Sequence, residues 1–305
     1  MDLIELFCEI DDFCLNFEAK WKQTLLSSNS RKGEKKCGLS LSEVMTIIVH
    51  FHQSNYRYFK YYYQKHVRNY LKDYFPNLVS YNRFVELKKF ALIPLIFYLN
   101  SRKGNCTGIS FIDGTSIEIC HPKRAKRNKV FKGLAGWSKS SVEWSFGFKL
   151  HLVINEYGQL LGFNVTPGNV DERKLVERIT KNIFGKLFGD KGYIKKELFA
   201  QLFERGLQLI TPYKKNMKNR LIPLVDKILL RKRSIIETVN DQLKNISQIE
   251  HSRHRSVANF LTNVVAALIA YTHQKKKPSL NFSSQEIDLL SEEFKPENST
   301  ALLVF

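Results

Sequence analysis

Two aspartates share one local setting, in which a short apolar run comes directly before the acid and a glycine lies nearby. Asp113 follows residues 109–112 and precedes Gly114, and Asp190 follows residues 186–189. Apolar, β-prone runs of this length predict short buried strands. A carboxylate at the end of such a strand is costly unless it is paired or binds a cation. A single strand-end aspartate is usually a turn residue, but two at the edge of one sheet favour a binding site.

A third acid, Glu237, lies in a long helical pattern that begins near Ile222. At about 100° per residue, Arg233 lies about 40° and Lys244 about 20° from Glu237 around the helix axis. The apolar residues Ile236, Val239 and Leu243 form a separate, buried stripe. A salt-bridged solvent face would show the same charge pattern. Together with the two aspartates, the pattern favours a site.

Three carboxylates on separate elements are the ligand set that two Mg²⁺ ions require for in-line phosphoryl transfer. The sequence therefore predicts a metal-dependent site formed by Asp113, Asp190 and Glu237. Arg233 and Lys244 are predicted to orient the phosphate groups of the substrate.

The balance of charge indicates the kind of partner. The chain has 305 residues, with 48 Lys and Arg against 29 Asp and Glu, which gives a formal charge of +19. Such an excess favours nucleic acid or an anionic membrane surface, and a merely basic surface is the alternative. A basic segment without acids, residues 121–132, follows the Asp113 strand. Its side chains are predicted to contact DNA phosphates, unless the segment is a solvated loop: Lys123, Arg124, Lys126 and Arg127.

Two further patterns narrow the class of protein. The five cysteines are scattered and include no C-x-x-C pair, which argues against a disulfide framework or a zinc knuckle. The N-terminus is unlike a signal peptide, and no apolar run reaches the roughly 20 residues of a membrane span. We expect a soluble, cytoplasmic protein with no membrane partner.

The order of elements predicts two regions and a tail. Residues 1–104 are predicted to be all-helical and to bind DNA, and residues 105–277 to form an α/β catalytic domain with a mixed sheet flanked by helices. Residues 278–305 are predicted to be a flexible acidic tail. Within the first region, residues 56–63 alternate aromatic and basic side chains. This pattern fits a DNA-contacting face or an aromatic helix packed in a bundle about equally well.

The same residues resemble the DDE transposases of bacterial insertion sequences, and most closely the insertion sequence 982 family. The residues that correspond to the Tyr, Arg, Glu and Lys of the third-acid motif are Leu230, Arg233, Glu237 and Lys244, so the chain departs from the pattern at Leu230. The other matching segments are 112–115, 166–171, 189–193 and 252–256. The rival acids Glu118, Glu143 and Asp241 join no such motif. Asp171 is expected to cap the helix that it begins, and His151 is not expected to bind metal.

The resemblance implies a ribonuclease-H-like fold for the catalytic region. It implies a transposase that cuts and joins double-stranded DNA at the terminal inverted repeats of its element and at a target. The implied cofactor is a pair of Mg²⁺ ions, for which Mn²⁺ can substitute. The implied assembly is a homodimer or higher oligomer on DNA, associated with the bacterial nucleoid. Two alternatives stay open, a metal-dependent nuclease of the same fold and a catalytically inactive DNA-binding regulator.

Overall fold

The computed structural model describes residues 2–27, 38–139, 143–214, 217, 221–250, 254–282 and 286. The chain divides into two compact units. The helical unit comprises Met1–Lys103, Ile117–Phe148 and Asp241–Lys276, and the sheet unit comprises Gly104–Ser116, Lys149–Asn240 and Lys277–Phe305. Most of the predicted acidic tail, residues 283–285 and 287–305, lies outside the described residues.

The helical unit begins with a series of helices. Ser40 and Glu43 form the predicted capping box at the second helix, because Ser40 Oγ accepts from Glu43 N (3.1 Å) and Glu43 Oε2 accepts from Ser40 N (2.6 Å). The elements are α1 (Leu3–Ser27), α2 (Leu41–Phe51), α3 (Phe59–Tyr61), a π-helical turn (Tyr62–Val67), α4 (Arg68–Tyr70), α5 (Tyr81–Lys88), a 3-10 turn (Lys89–Ala91) and α6 (Leu92–Ser101).

The aromatic stretch 56–63 divides between two environments. Phe59, Tyr62 and Tyr63 are buried in the helical unit, whereas Tyr58 and Tyr61 are more than half exposed. The packing interpretation is therefore confirmed for the three buried rings. The two exposed rings are left accessible.

The strands form a mixed sheet with the order β2-β3-β1-β5-β6, in which β4 also pairs with β3. The β1–β5 and β5–β6 pairs are parallel, and the β2–β3 pair is antiparallel. The strands β1 and β3 run through both units. The bounds are β1 (Ile109–Cys120), β2 (Gly136–Lys139), β3 (Trp144–Asn155), β4 (Leu160–Pro167), β5 (Gly185–Phe188) and β6 (Leu207–Ile210).

Four helices follow along the chain, and the first two pack against strands of the sheet. Apolar side chains of these two helices and of the strands form a core in the sheet unit, including Ile112, Val176, Leu187, Leu198 and Leu209. The helices are α7 (Arg173–Ile179), α8 (Lys196–Glu204), α9 (Leu224–Lys232) and α10 (Ser234–Asn245), and α10 continues into the helical unit at Asp241.

Two sequence predictions about these elements are wrong in detail. The pattern from Ile222 predicts one long helix, but Arg233 separates α9 from α10. Ile236 N donates to Arg233 O (3.1 Å), three residues back instead of four, so the turn is tightened at this point. Asp113 does not end its strand either, because Gly114 is compatible with an extended backbone and β1 continues to Cys120.

A last helix, α11 (Val257–Thr272), completes the helical unit. Ser256 Oγ accepts from Asn259 N (3.4 Å) and caps it. Most of its side chains are buried, and it packs against α2 and α6. Among the described residues, no helix is both long and apolar enough to cross a membrane.

Candidate active site

The register of two parallel strands brings Asp113 and Asp190 to the same end of their ladder. In the β1–β5 pair, Phe111 lies opposite Phe188. Asp113 and Asp190 each lie two residues beyond this pair. Both carboxylates therefore lie just beyond the end of the β1–β5 ladder, where β5 ends at Phe188 while β1 continues to Cys120. The burial of β1 also decreases here, since residues 109–112 are buried and Asp113 is partly exposed.

Asp113 is held in a polar and mostly buried environment. Its Oδ2 accepts from Asn240 Nδ2 (2.9 Å), and Arg233 Nη1 lies 3.9 Å from its Oδ1. Burial raises the pKa of Asp113 to about 7, with further increases from the negative charges of Glu172 and Asp190. The positive charge of Arg233 acts in the opposite direction. Asp113 is thus a carboxyl group in a site where negative charge is concentrated.

Arg233 joins the third predicted acid to this site. Its Nη2 donates to Glu237 Oε1 (2.7 Å) one helical turn away, while its Nη1 is 3.9 Å from Asp113. Glu237 is 55% exposed and Arg233 only 19%. The arginine therefore faces carboxylates on two elements, as a solvent-facing helix pair alone would not.

Asp190 begins a short turn at the end of β5. Its Oδ1 accepts from Gly192 N (2.8 Å), which orients the carboxylate. Tyr193 lies buried beneath this turn with 1% exposure. Burial raises the pKa of Tyr193 well above its usual value, and the charges of Glu172, Asp113 and Asp190 act in the same direction. The tyrosine is thus a neutral, buried side chain next to the acidic cluster that Asp113, Glu172 and Asp190 form.

Glu172 also belongs to the acidic cluster, although it was not among the predicted site residues. A Cβ atom at Gly114 would lie 3.0 Å from the carboxyl carbon of Glu172, so this side chain passes directly beside the residue after Asp113. Lys149 Nζ donates to Glu172 Oε1 (2.7 Å). The signal was its position directly after the motif at residues 166–171. Asp171 accepts from Arg173 N (3.0 Å) at the start of α7, but the N-cap position is occupied by Glu172 and not, as expected, by Asp171.

The other candidate residues have separate surroundings. Lys244 pairs with Glu250 (3.1 Å) within the helical unit. The basic segment forms a turn, Pro122–Arg127, in which Lys123, Arg124, Lys126 and Arg127 are exposed and Ala125 is buried. Of the rival acids, Glu118 and Glu143 lie in the helical unit. The buried His151 Nε2 forms a hydrogen bond with Thr166 Oγ1 (2.8 Å).

Within the described residues, no group of three or more His, Cys, Asp and Glu side chains is arranged to hold a metal ion. Asp113, Asp190, Glu172 and Glu237 supply carboxylate oxygens, the donors that Mg²⁺ and Mn²⁺ prefer. The assignment of metal ligands among them stays a prediction.

Comparison with known proteins decides the family. A family model described as "Transposase DDE domain" matches residues 103–257, which is just over half of the chain. The chain belongs to this DDE transposase family. The matched range contains Asp113, Asp190 and Glu237, and extends through the whole sheet. It is therefore an enzyme of the transposase class.

Other comparisons are more distant. No curated protein matches the sequence. A piggyBac transposase synaptic complex with hairpin DNA is 9% identical and covers 93% of this chain and 78% of its own, with a TM-score of 0.43. The Mos1 strand transfer complex is 13% identical and covers 90% and 77%, with a TM-score of 0.26. Both TM-scores are below 0.5.

Proposed function

We propose that this transposase cuts and joins double-stranded DNA at the ends of a bacterial insertion sequence, and that Asp113, Asp190 and Glu237 are its catalytic acids. The observation that carries the proposal is the β1–β5 register, which brings Asp113 and Asp190 to the same end of one parallel ladder. The sheet order and flanking helices support a ribonuclease-H-like core, and the motifs at 112–115 and 166–171 support the insertion sequence 982 family.

The cofactor in this proposal is a pair of Mg²⁺ ions, with Mn²⁺ as a substitute. DDE transposases generally use divalent metal ions. The donor set fits, because burial raises the pKa of Asp113 and the charges of Glu172 and Asp190 raise it further, and a cation would relieve that repulsion. Asp113, Asp190 and Glu237 would hold the ions. When bound, the metal would activate the attacking oxygen and stabilise the leaving oxygen of the strand.

The side chains of the chain itself have distinct parts in this proposal. Asn240 fixes the orientation of Asp113 through the hydrogen bond to Oδ2. Arg233 has a planar guanidinium group with a forked set of donors, so it suits a phosphate of the scissile strand. Lys149 neutralises Glu172 and keeps that carboxylate beside Gly114. Lys244 would contact the phosphate backbone farther along the DNA.

The basic turn would supply contacts of another kind. Lys123, Arg124, Lys126 and Arg127 are exposed and come after the Asp113 strand in the chain. Such side chains neutralise phosphates without reading sequence. We propose that they bind the duplex, and that the enzyme works as a homodimer or higher oligomer on DNA.

The test is strand cleavage and joining by the purified chain, with Mg²⁺ and a DNA fragment that carries the ends of the element. Asp113→Asn, Asp190→Asn and Glu237→Gln are each expected to reduce cleavage by roughly a hundredfold or more, because each removes a negatively charged ligand. The matched control is Asp241→Asn, an exposed acid one turn after Glu237 on the same helix. It is expected to keep cleavage within about twofold of the unmodified chain.

Each part of the proposal has its own contrary result. Full activity of Asp113→Asn would disprove the site. Cleavage without strand joining would identify a nuclease. DNA binding without any metal-dependent cleavage would identify an inactive regulator.

A further inference from the structure

A pocket of about 890 Å³ lies entirely within the helical unit, apart from the acidic cluster. It is formed by α3, the π-helical turn, α5 and the residues around the start of α11. Three cations line it, Lys60, Lys88 and Arg255, and none of its described lining residues is acidic. The volume is in the range of about 300–1,000 Å³ that is usual for sites that enclose a small organic ligand.

Lys88 is the most unusual of these side chains. It is only 3% exposed, and its Nζ lies 4.5 Å from the centroid of the Phe59 ring. Within the described part of the chain it has no ion pair and no hydrogen-bond acceptor. Burial lowers its pKa from 10.5 to about 7. A buried ammonium group without a counter-ion is unfavourable, so an anionic ligand in this pocket would gain by pairing with it.

Two further polar atoms of the pocket residues lack partners. His254 Nε2 and Asn259 Oδ1 are buried, and neither has a hydrogen bond to any described residue. Buried polar atoms are nearly always hydrogen-bonded in folded proteins. The pocket therefore offers a hydrogen-bonding nitrogen and an acceptor oxygen beside its cations.

Aromatic rings form the outer part of the same pocket. Tyr58 and Tyr61 are 53% and 56% exposed, and Tyr81 lies with its ring centroid 5.9 Å from Lys60 Nζ. Tyrosine rings beside cations are the combination that binds single-stranded nucleic acid, in which bases stack on the rings and phosphates meet the charges. In a duplex both faces of each base are covered by neighbouring bases, so these rings would have no base face to contact.

We propose that this pocket binds an unpaired nucleotide of the DNA, with a phosphate between Lys88 and Arg255 and the base stacked on Tyr81. The inference rests on the proposed function, because the nucleotide would belong to the strand that the transposase handles. It adds a second site for DNA in the helical unit, with a chemistry different from that of the exposed basic turn.

The test is binding of a fluorescent thymidine oligonucleotide of about 12 nucleotides to the full chain without divalent metal, followed by anisotropy. Lys88→Met and Tyr81→Leu are expected to weaken binding by about tenfold or more, since each removes a desolvated phosphate or base contact. The matched controls are Lys89→Met and Tyr74→Leu, which change exposed neighbours outside the pocket lining. These controls are expected to change affinity by less than about twofold.

An abasic oligonucleotide of the same length separates the base from the phosphates. It is expected to bind the unmodified chain more weakly than the thymidine strand, and to bind Tyr81→Leu equally well. Equal losses in Lys88→Met and Lys89→Met would overturn the proposal in favour of general charge attraction. Equal affinity for the abasic and thymidine strands would show that no base is bound and would overturn the proposed stacking on Tyr81. If Tyr81→Leu weakens the binding of duplex DNA as much as that of the thymidine strand, the occupant is not an unpaired nucleotide.

Folding and catalysis can be separated from this result. Met has nearly the length of Lys and carries no charge, so Lys88→Met is expected to keep the thermal midpoint of the unmodified chain or raise it. If that variant does not fold, Arg255→Met takes its place, since Arg255 is exposed. A chain that cuts no DNA but shows the binding pattern would disprove the proposed function alone. If the unmodified chain cuts DNA, and the Lys88→Met variant binds the oligonucleotide as tightly as the unmodified chain does, the pocket proposal alone is disproved.

Discussion

A buried ion pair links β5, which comes just before Asp190, to α9, which comes before the helix that contains Glu237. Lys186 Nζ in β5 donates to Asp226 Oδ1 in α9 at 2.8 Å, and the two side chains are only 7% and 4% exposed. β5 leads to Asp190, and α9 leads through Arg233 to α10. Removing either charge is expected to destabilise the sheet unit and to disturb the acidic cluster.

The size of the effect follows from the burial. Loss of either side chain removes a 2.8 Å ion pair from a nearly dry environment, and each single variant is expected to cost about 3–5 kcal/mol. Replacement of both by apolar residues of similar volume removes the charge altogether, and the cost is then expected to be near zero. Lys186→Met and Asp226→Leu should therefore be far from additive, and the double variant should be more stable than either single one. The exposed pair Arg83–Glu86, at 2.7 Å, is the control and is expected to contribute about 0.2–1 kcal/mol.

The assay is urea denaturation followed by circular dichroism, with hydrogen exchange of the β5 amides as a local measure of the sheet unit. Exchange at β5 is expected to accelerate in both single variants and to recover in the double variant. Single-variant costs below about 1 kcal/mol would refute the reasoning. So would a double variant that loses as much stability as the two single variants together.

Two further predictions concern the site and the core of the helical unit. Gly114→Ala is expected to reduce strand cleavage by roughly tenfold or more, because the added Cβ would lie 3.0 Å from the Glu172 carboxyl group. The thermal midpoint is expected to change little. Unchanged cleavage would show that the position of Glu172 has no part in activity. Burial lowers the pKa of His52 to about 3, below its usual 6.5, so between these values the unfolded chain binds more protons and stability falls as pH decreases. The free energy of unfolding, measured from pH 6.5 to 5, is expected to fall less steeply in His52→Gln than in the unmodified chain, by up to about 1.4 kcal/mol per pH unit at the lower end of this range. An equal slope in both proteins would contradict this.

The sequence was most informative where a pattern repeats. The apolar runs before Asp113 and Asp190 predicted two strands, and β1 and β5 are present in parallel register, although Asp113 lies within β1 and not beyond its end. The capping box at Ser40 and Glu43 was equally direct, because both partners lie within four residues of each other. Local chemistry of this kind can be recognised without a fold.

Features that depend on distant residues were not accessible in the same way. The motif at residues 166–171 draws attention to the neighbouring Glu172, but it does not show that the Glu172 carboxylate lies beside Gly114, since the contact joins residues 58 positions apart. The sequence is helical in pattern on both sides of Arg233, so it does not predict the break between α9 and α10. At this break the Arg233 side chain lies between the carboxylates of Asp113 and Glu237. The local sequence around Lys88 is that of an ordinary surface position on a short helix. Only the packing of α5 shows that its side chain is buried.

The assembly of the helical unit from three stretches of chain has a consequence for biosynthesis. α11 covers α2 and α6, yet more than 150 residues separate it from the end of α6. During synthesis from the N-terminus, this core can form only after residues up to Thr272 have been added. The faces of α2 and α6 that pack against α11 therefore stay exposed while the whole sheet is synthesised. Contacts of such sequence separation slow folding and leave the nascent chain prone to aggregation. A fragment that stops near residue 104 would keep its first six helices permanently in that immature state.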